Sequence, residues 1–193
     1  MRSFPEKNPD PAKSLAYAAR LPEGIMRDNA LAELVRSGKV DPKNHPDVQA
    51  ALARIPDRDA FRIGSELAKT AESLPQGAIR DAAMQAALRD LSRKDAGAAA
   101  KRLESLPANS PDYAAAVRGF VDVAAAKDPA SAAEWAVSIP PTNNSHRSGA
   151  LERVAKEYFQ TNPDGAREWV EKAPLSDEEY RRLTGRARSA PKQ

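Results

Sequence analysis

The sequence has no cysteine, and that excludes a disulfide framework, a thiolate zinc site and a cysteine nucleophile. Aromatic residues make up only 5% of its 193 positions. No apolar run approaches the roughly 18 residues that a membrane span requires. The first residues, "MRSFPEKNPDP", hold no apolar stretch of the kind a signal peptide carries. With Met1 as the start, the cytoplasm is the favoured compartment; with a trimmed leader, the periplasm stays open. Histidine occurs twice, as His45 and His146, and neither has a second ligand at metal-binding spacing. Nucleotide-binding glycine loops and nucleophile-elbow motifs do not occur. Carboxylates are scattered among Lys and Arg on polar faces. The sequence therefore predicts no catalytic residue, no metal site and no cofactor.

What is present is repetition. "DPAKSLAYAARLP" (10–22), "DPASAAEWAVSIP" (128–140) and "NPDGAREWVEKAP" (162–174) share one pattern: Asp or Asn first, Pro second, an aromatic eighth and Pro last. The closing dipeptides belong to a longer series: Leu21-Pro22, Ile55-Pro56, Leu74-Pro75, Leu106-Pro107, Ile139-Pro140 and Ala173-Pro174. Successive prolines lie 34, 19, 32, 33 and 34 residues apart. A period in the thirties is the mark of stacked helical hairpins.

The grammar inside each unit is helical. Asp10, Asn44, Asp95, Asp128 and Asn162 stand twelve residues before a closing Pro, where a side-chain oxygen can accept from the free N–H groups of a first turn. Pro11, Pro129 and Pro163 follow directly, at the position where a missing N–H is harmless. The closing Pro biases its predecessor away from the helix. Between cap and stop, Ala132, Trp135, Ala136 and Ile139 form one apolar stripe, and Ala166, Trp169, Val170 and Ala173 form its counterpart. A second helix follows each stop, with stripes at Ala30/Leu31/Leu34/Val35, Met84/Ala87/Leu88/Leu91, Val117/Phe120/Val121/Ala124 and Ala150/Leu151/Val154/Ala155/Tyr158/Phe159. Neither helix of a pair can bury its stripe alone, so the hairpins must stack.

One unit breaks the rhythm. Asn44 and Asp95 are 51 residues apart, one period and a half. The surplus, at 57–74, reads as one helix of about 17 residues with Phe61, Leu67, Ala68, Ala71 and Leu74 buried and Gly64 as a kink or break. The expected fold is all-α: a right-handed α-solenoid of 34-residue helical hairpins with eleven helices. Its repeat domain spans 10–179, between a flexible segment at 1–9 and a basic tail at 180–193 that is partly helical and then disordered.

The 34-residue hairpin resembles the α-solenoid group, which includes tetratricopeptide and HEAT-like repeats. The resemblance covers residues 10–190. The period fits tetratricopeptide repeats, but that family places its Trp early in the first helix and its Pro at the end of the unit. Here the Trp lies late and the Pro ends the first helix. The unit D-P-x-x-A-x-x-W-x-x-x-L-P, followed by R-x-x-A-L, looks more like Ala-rich repeats of bacterial proteins. What the resemblance implies is a curved surface offered to a protein or peptide, by analogy of fold.

The formal charge is +3 and the pI about 9.2. Residues 180–193 hold five of the basic side chains (Arg181, Arg182, Arg186, Arg188, Lys192) and no acid, which leaves the rest at −2. Duplex binding needs cations converging on phosphates, not a terminal cluster. Arg93, Lys94, Lys101 and Arg102 could form a patch, but Asp90, Asp95 and Glu104 are interleaved, and no aromatic occurs between Phe61 and Tyr113 to stack a base. The expected function is that of a non-catalytic scaffold that binds a protein or peptide, with nucleic-acid binding as the alternative.

Two recurrences are candidates for that function. Tyr17, Trp135 and Trp169 share the eighth position, as wedges between hairpins or as a ladder for a ligand; their place on the stripe favours wedges. Arg27, Arg80 and Arg147 follow a closing Pro by 5, 5 and 7 residues, at the start of the second helix. A cation there opposes the helix dipole, so its recurrence points to a role, either in an ion pair between hairpins or in a row facing an acidic partner. These three are the candidate partner-binding residues. Tyr113 stands near the equivalent place in the third unit, so the row is incomplete.

Overall fold

A computed structural model describes residues 10–185. The fold is all-α, with eleven helices and no strand among the described residues. The helices are α1 (Pro11–Arg20), α2 (Ile25–Arg36), α3 (Pro46–Ala53), α4 (Asp57–Glu66), α5 (Ala78–Lys94), α6 (Ala96–Glu104), α7 (Tyr113–Ala124), α8 (Pro129–Ser138), α9 (Asn144–Thr161), α10 (Pro163–Lys172) and α11 (Asp177–Thr184). Short 3-10 segments occupy Pro42–Asn44 and Ala68–Ser73. The chain divides into two compact units, Met1–Ala86 and Ala87–Gln193, with the division inside α5.

Caps and stops work as the sequence implies. Carboxylates of Asp10, Asp95 and Asp128 and the amide of Asn162 accept from backbone N–H groups two or three residues on, at 2.9–3.0 Å. Before the closing prolines, Leu21, Leu74, Ile139 and Ala173 are all extended, with ψ between 124° and 151°. Steric conflict with the proline ring forces that geometry.

Asn44 differs from expectation. Pro46 pushes His45 into an extended conformation (φ −134°, ψ 91°), so α3 starts one residue later than a cap at Asn44 would place it, and Asn44 closes a 3-10 turn that Asp41 caps through the Lys43 N–H. His146 lies in the first turn of α9, not in a loop.

The 57–74 segment is two elements rather than one helix of 17 residues. The α-helix ends at Glu66, with Leu67 as its C-cap, and a 3-10 segment continues from Ala68. Leu67, Ala71 and Leu74 are buried as expected, but Phe61 is 55% exposed. The buried stripe of α4 is Ala60, Ile63, Gly64 and Leu67, the i, i+3, i+4, i+7 set one residue away from Phe61.

In the first unit α1 packs on α2 and α2 on α3. In the second, α7 packs on α6, α8 and α9, and α9 packs in turn on α8, α10 and α11. The stripes of α7 and α9 are buried through Val117, Phe120, Val121, Ala150, Leu151, Val154 and Ala155. Small side chains let the helices approach closely: Ala132, Ala136 and Ala166 have no exposed surface. Trp135 and Trp169 are half-buried. Trp135 meets Phe120 edge to face at 5.7 Å, and Trp169 lies tilted against Tyr158 at 6.2 Å. Each thus wedges against the preceding long helix, the arrangement aromatic quadrupoles favour. Tyr17 does not join them: it is 69% exposed, because α1 turns only Ala18 fully inward.

The expected domain limit at 179/180 falls inside α11. A capping box between Ser176 and Glu179 starts that helix, and Tyr180 is buried, its hydroxyl donating to Glu171. The segment 1–9 and the remainder of the tail beyond 185 lie outside the described residues.

Candidate functional site

The three arginines sit in the first turns of α2, α5 and α9, each next to the end of the preceding short helical element. Those ends carry carbonyls that no helical N–H can reach, because the closing proline stops the helix and brings no donor. Arg147 satisfies such carbonyls directly. Its Nη1 donates to Val137 at 2.7 Å and to Ile139 at 2.5 Å, the two carbonyls at the end of α8. Its Nη2 donates to the Pro174 carbonyl at 3.0 Å, just past α10, and its Nε donates to Glu179 of α11 at 2.6 Å. One guanidinium therefore ties α9 to α8, α10 and α11.

Arg80 repeats the motif in the first unit. Its Nη1 donates to Leu74 at 2.7 Å and to Glu72 at 2.8 Å. Leu74 and Ile139 hold the same place, immediately before the closing Pro, and Glu72 and Val137 lie two residues earlier. In the third unit Tyr113 takes a related part. The Ser138 hydroxyl donates to the Trp135 carbonyl, so the Tyr113 hydroxyl donates to Ser138, at 2.8 Å. Arg27 is the weakest copy: it is half-buried, reaches Glu23 at 3.8 Å, and has a buried Nε without a hydrogen-bond partner.

Buried Arg147 is not available to a row facing an acidic partner, the role the sequence offered for Arg27, Arg80 and Arg147. Arg147 is 2% exposed, and all its donor nitrogens are engaged inside the unit. Arg80 is half-buried with Nη1 on backbone carbonyls. Arg80 and Arg147 cap helix ends; of the two roles the sequence left open, Arg147 performs the ion pair between helices as well.

Glu179 gives this centre a pH dependence. Burial alone would push its carboxyl up, but the Ser176 backbone N–H and the Arg147 guanidinium outweigh burial and hold it below the usual carboxylate range. A folded pKa below the unfolded one, which is about 4.3, means the stabilisation is fully present above that value. It is lost as the pH falls through the folded pKa. We expect the urea midpoint to hold steady from neutral pH to about pH 5 and to fall below about pH 4, and the Glu179→Gln variant to lose part of that fall.

Elsewhere the unmet surface is apolar and lies in the first unit. Tyr17, Ile25, Met26 and Phe61 are 69%, 59%, 75% and 55% exposed. Ile25 also lines a recess of about 400 Å³ with Ile55, Pro56 and Ile63. The rim of this recess is largely self-neutralised. Asp28 is buried and takes a two-pronged contact from Arg54, at 2.6 and 3.2 Å, while Asp59 meets Arg58 at 3.4 Å. Sequence reading missed this patch because Ile25 and Met26 sit at the start of α2, outside every stripe. The patch at 93–102 stays interleaved: Arg93 pairs with Asp90 at 3.3 Å, and Asp95 caps α6. No group of three or more His, Asp or Glu side chains among the described residues is placed to hold a metal ion, and no described helix is long and apolar enough to cross a membrane. No family model, no curated protein and no solved structure matches the chain.

Proposed function

We propose that this chain is a non-catalytic scaffold built of helical-hairpin repeats, and that it binds a protein or peptide partner. The observation that carries the reading is the exposed apolar set in the first unit. Met and aromatic residues are enriched in contact surfaces relative to the rest of a protein surface. Here Tyr17, Ile25, Met26 and Phe61 are the exposed large hydrophobic residues among those described, and none belongs to the second unit. The repeat architecture is supported by α7 and α9, successive long helices that pack on each other with α8 against both.

The test is capture from a lysate of the source, with and without nuclease, by the wild-type chain and by an Ile25→Asp/Met26→Asp variant. Both positions are exposed, so folding should be unaffected within about 0.5 kcal/mol per site. We expect a protein recovered in fixed ratio, resistant to nuclease and reduced about tenfold by the variant, a loss of about 1.4 kcal/mol. Recovery that vanishes with nuclease would replace this reading with nucleic-acid binding. Recovery indifferent to the variant would remove the first-unit patch from it.

A further inference from the structure

Three helices of the second unit converge on another recess, of about 340 Å³. Glu134 comes from α8, Tyr158 from α9, and Gly165, Glu168, Trp169 and Lys172 from α10. Gly165 makes the arrangement possible. A Cβ there would lie 2.9 Å from the Tyr158 hydroxyl and 2.7 Å from the Asn162 amide nitrogen, closer than a side chain tolerates. Without one, Tyr158 lies across the start of α10, and its ring meets Trp169 at 6.2 Å.

The chemistry of the recess favours a cation from several directions. Aromatic faces carry negative quadrupole charge. The recess runs along α10 from Gly165 in its first turn to Pro174 just past its end. Two carboxylates line it, and one already holds a cation: Glu168 takes the Lys172 ammonium at 2.5 Å, and that contact keeps its carboxyl below the usual range. The other, Glu134, is exposed and has no partner among the described residues. An anionic partner would meet two carboxylates and two ring faces against a single ammonium, so neither an acidic peptide nor a phosphate backbone suits the site.

We propose that this recess binds a lysine or arginine side chain from a basic segment of a partner protein, with the cation over the Trp169 face and paired with Glu134. The site is built of second-unit residues alone and shares none with the exposed apolar residues of the first, so the two succeed or fail separately. The probe is a short peptide with one lysine among neutral residues, compared with its norleucine counterpart at low ionic strength. The chain has two tryptophans. A Trp135→Phe variant therefore isolates Trp169 emission, and the two indole N–H signals of the wild-type chain give a readout that needs no substitution.

We expect a saturable change at Trp169 with the lysine peptide and none with the norleucine peptide. Glu134→Gln, which leaves an exposed position folded, should raise the dissociation constant about tenfold. Absence of saturation overturns the proposal. Equal binding of the norleucine peptide overturns it too, because the recess would then select only apolar bulk. An affinity untouched by Glu134→Gln overturns the role of the free carboxylate, and with it the site as proposed.

Discussion

Replacing Arg147 with Ala is expected to destabilise the fold by about 3–5 kcal/mol, the range for breaking a buried ion pair by removing one partner. The measurement is the urea midpoint followed by helical circular dichroism. The guanidinium is 2% exposed and donates to three backbone carbonyls as well as to Glu179. Its loss leaves a partly buried carboxylate without a counter-charge and the ends of α8 and α10 without donors. Each unsatisfied buried group costs about 1–3 kcal/mol, less where water enters the vacated space. Arg147→Lys separates charge from shape. An ammonium keeps the charge but is a single point, and it cannot span α8, α10 and α11 as the planar fork does. We expect it to recover no more than about half of the loss. A loss below about 1 kcal/mol in Arg147→Ala would mean that water replaces the guanidinium at every carbonyl, and that the three helices are held by their apolar stripes alone.

What the sequence made readable was local. A cap and a stop are decided by residues within one turn of each other, so Asp10, Asp95, Asp128 and Asn162 could be assigned without knowing the fold. Asn44 failed for an equally local reason: Pro46 acts on its own predecessor, His45, and moves the start of α3. The failures that mattered were not local. Recurrence of the arginines was visible, but Arg80 and Arg147 donate to backbone carbonyls, and a carbonyl leaves no trace in residue identity. An acidic partner was therefore as natural a target as the end of a helix. Tyr17 shares the eighth position with Trp135 and Trp169, yet no equivalent of Phe120 or Tyr158 meets it. Glu179 and Tyr180 could have been found. Ser176 followed three residues later by Glu179 is the signature of a capping box, and it announces the start of the helix that carries the chain into the basic tail.

Gly64 is the second position where a small change should have a large effect, and there sequence and structure give opposite signs. In a helix interior, exchanging Gly for Ala ordinarily gains about 1 kcal/mol, because Ala gives up less backbone freedom. On sequence alone Gly64 is a weak point in α4 that Ala would repair. In the fold it is the point where α4 touches α5. A Cβ at 64 would lie 2.6 Å from the Ala82 Cβ, 2.6 Å from the Ile79 carbonyl oxygen and 3.0 Å from the Ala83 nitrogen. Two of these three atoms are backbone, so no rotamer change relieves the conflict, and the helices must part. Overpacking of this kind costs about 1–3 kcal/mol and sometimes more, which exceeds the propensity gain. We expect Gly64→Ala to be destabilising by about 2 kcal/mol net. Gly97→Ala, in the first turn of α6, is the control. Its Cβ would meet only the Asp95 carboxylate at 3.4 Å, an ordinary contact, so the change should be neutral or slightly stabilising. If Gly64→Ala proved stabilising, α5 could not lie where it does against α4.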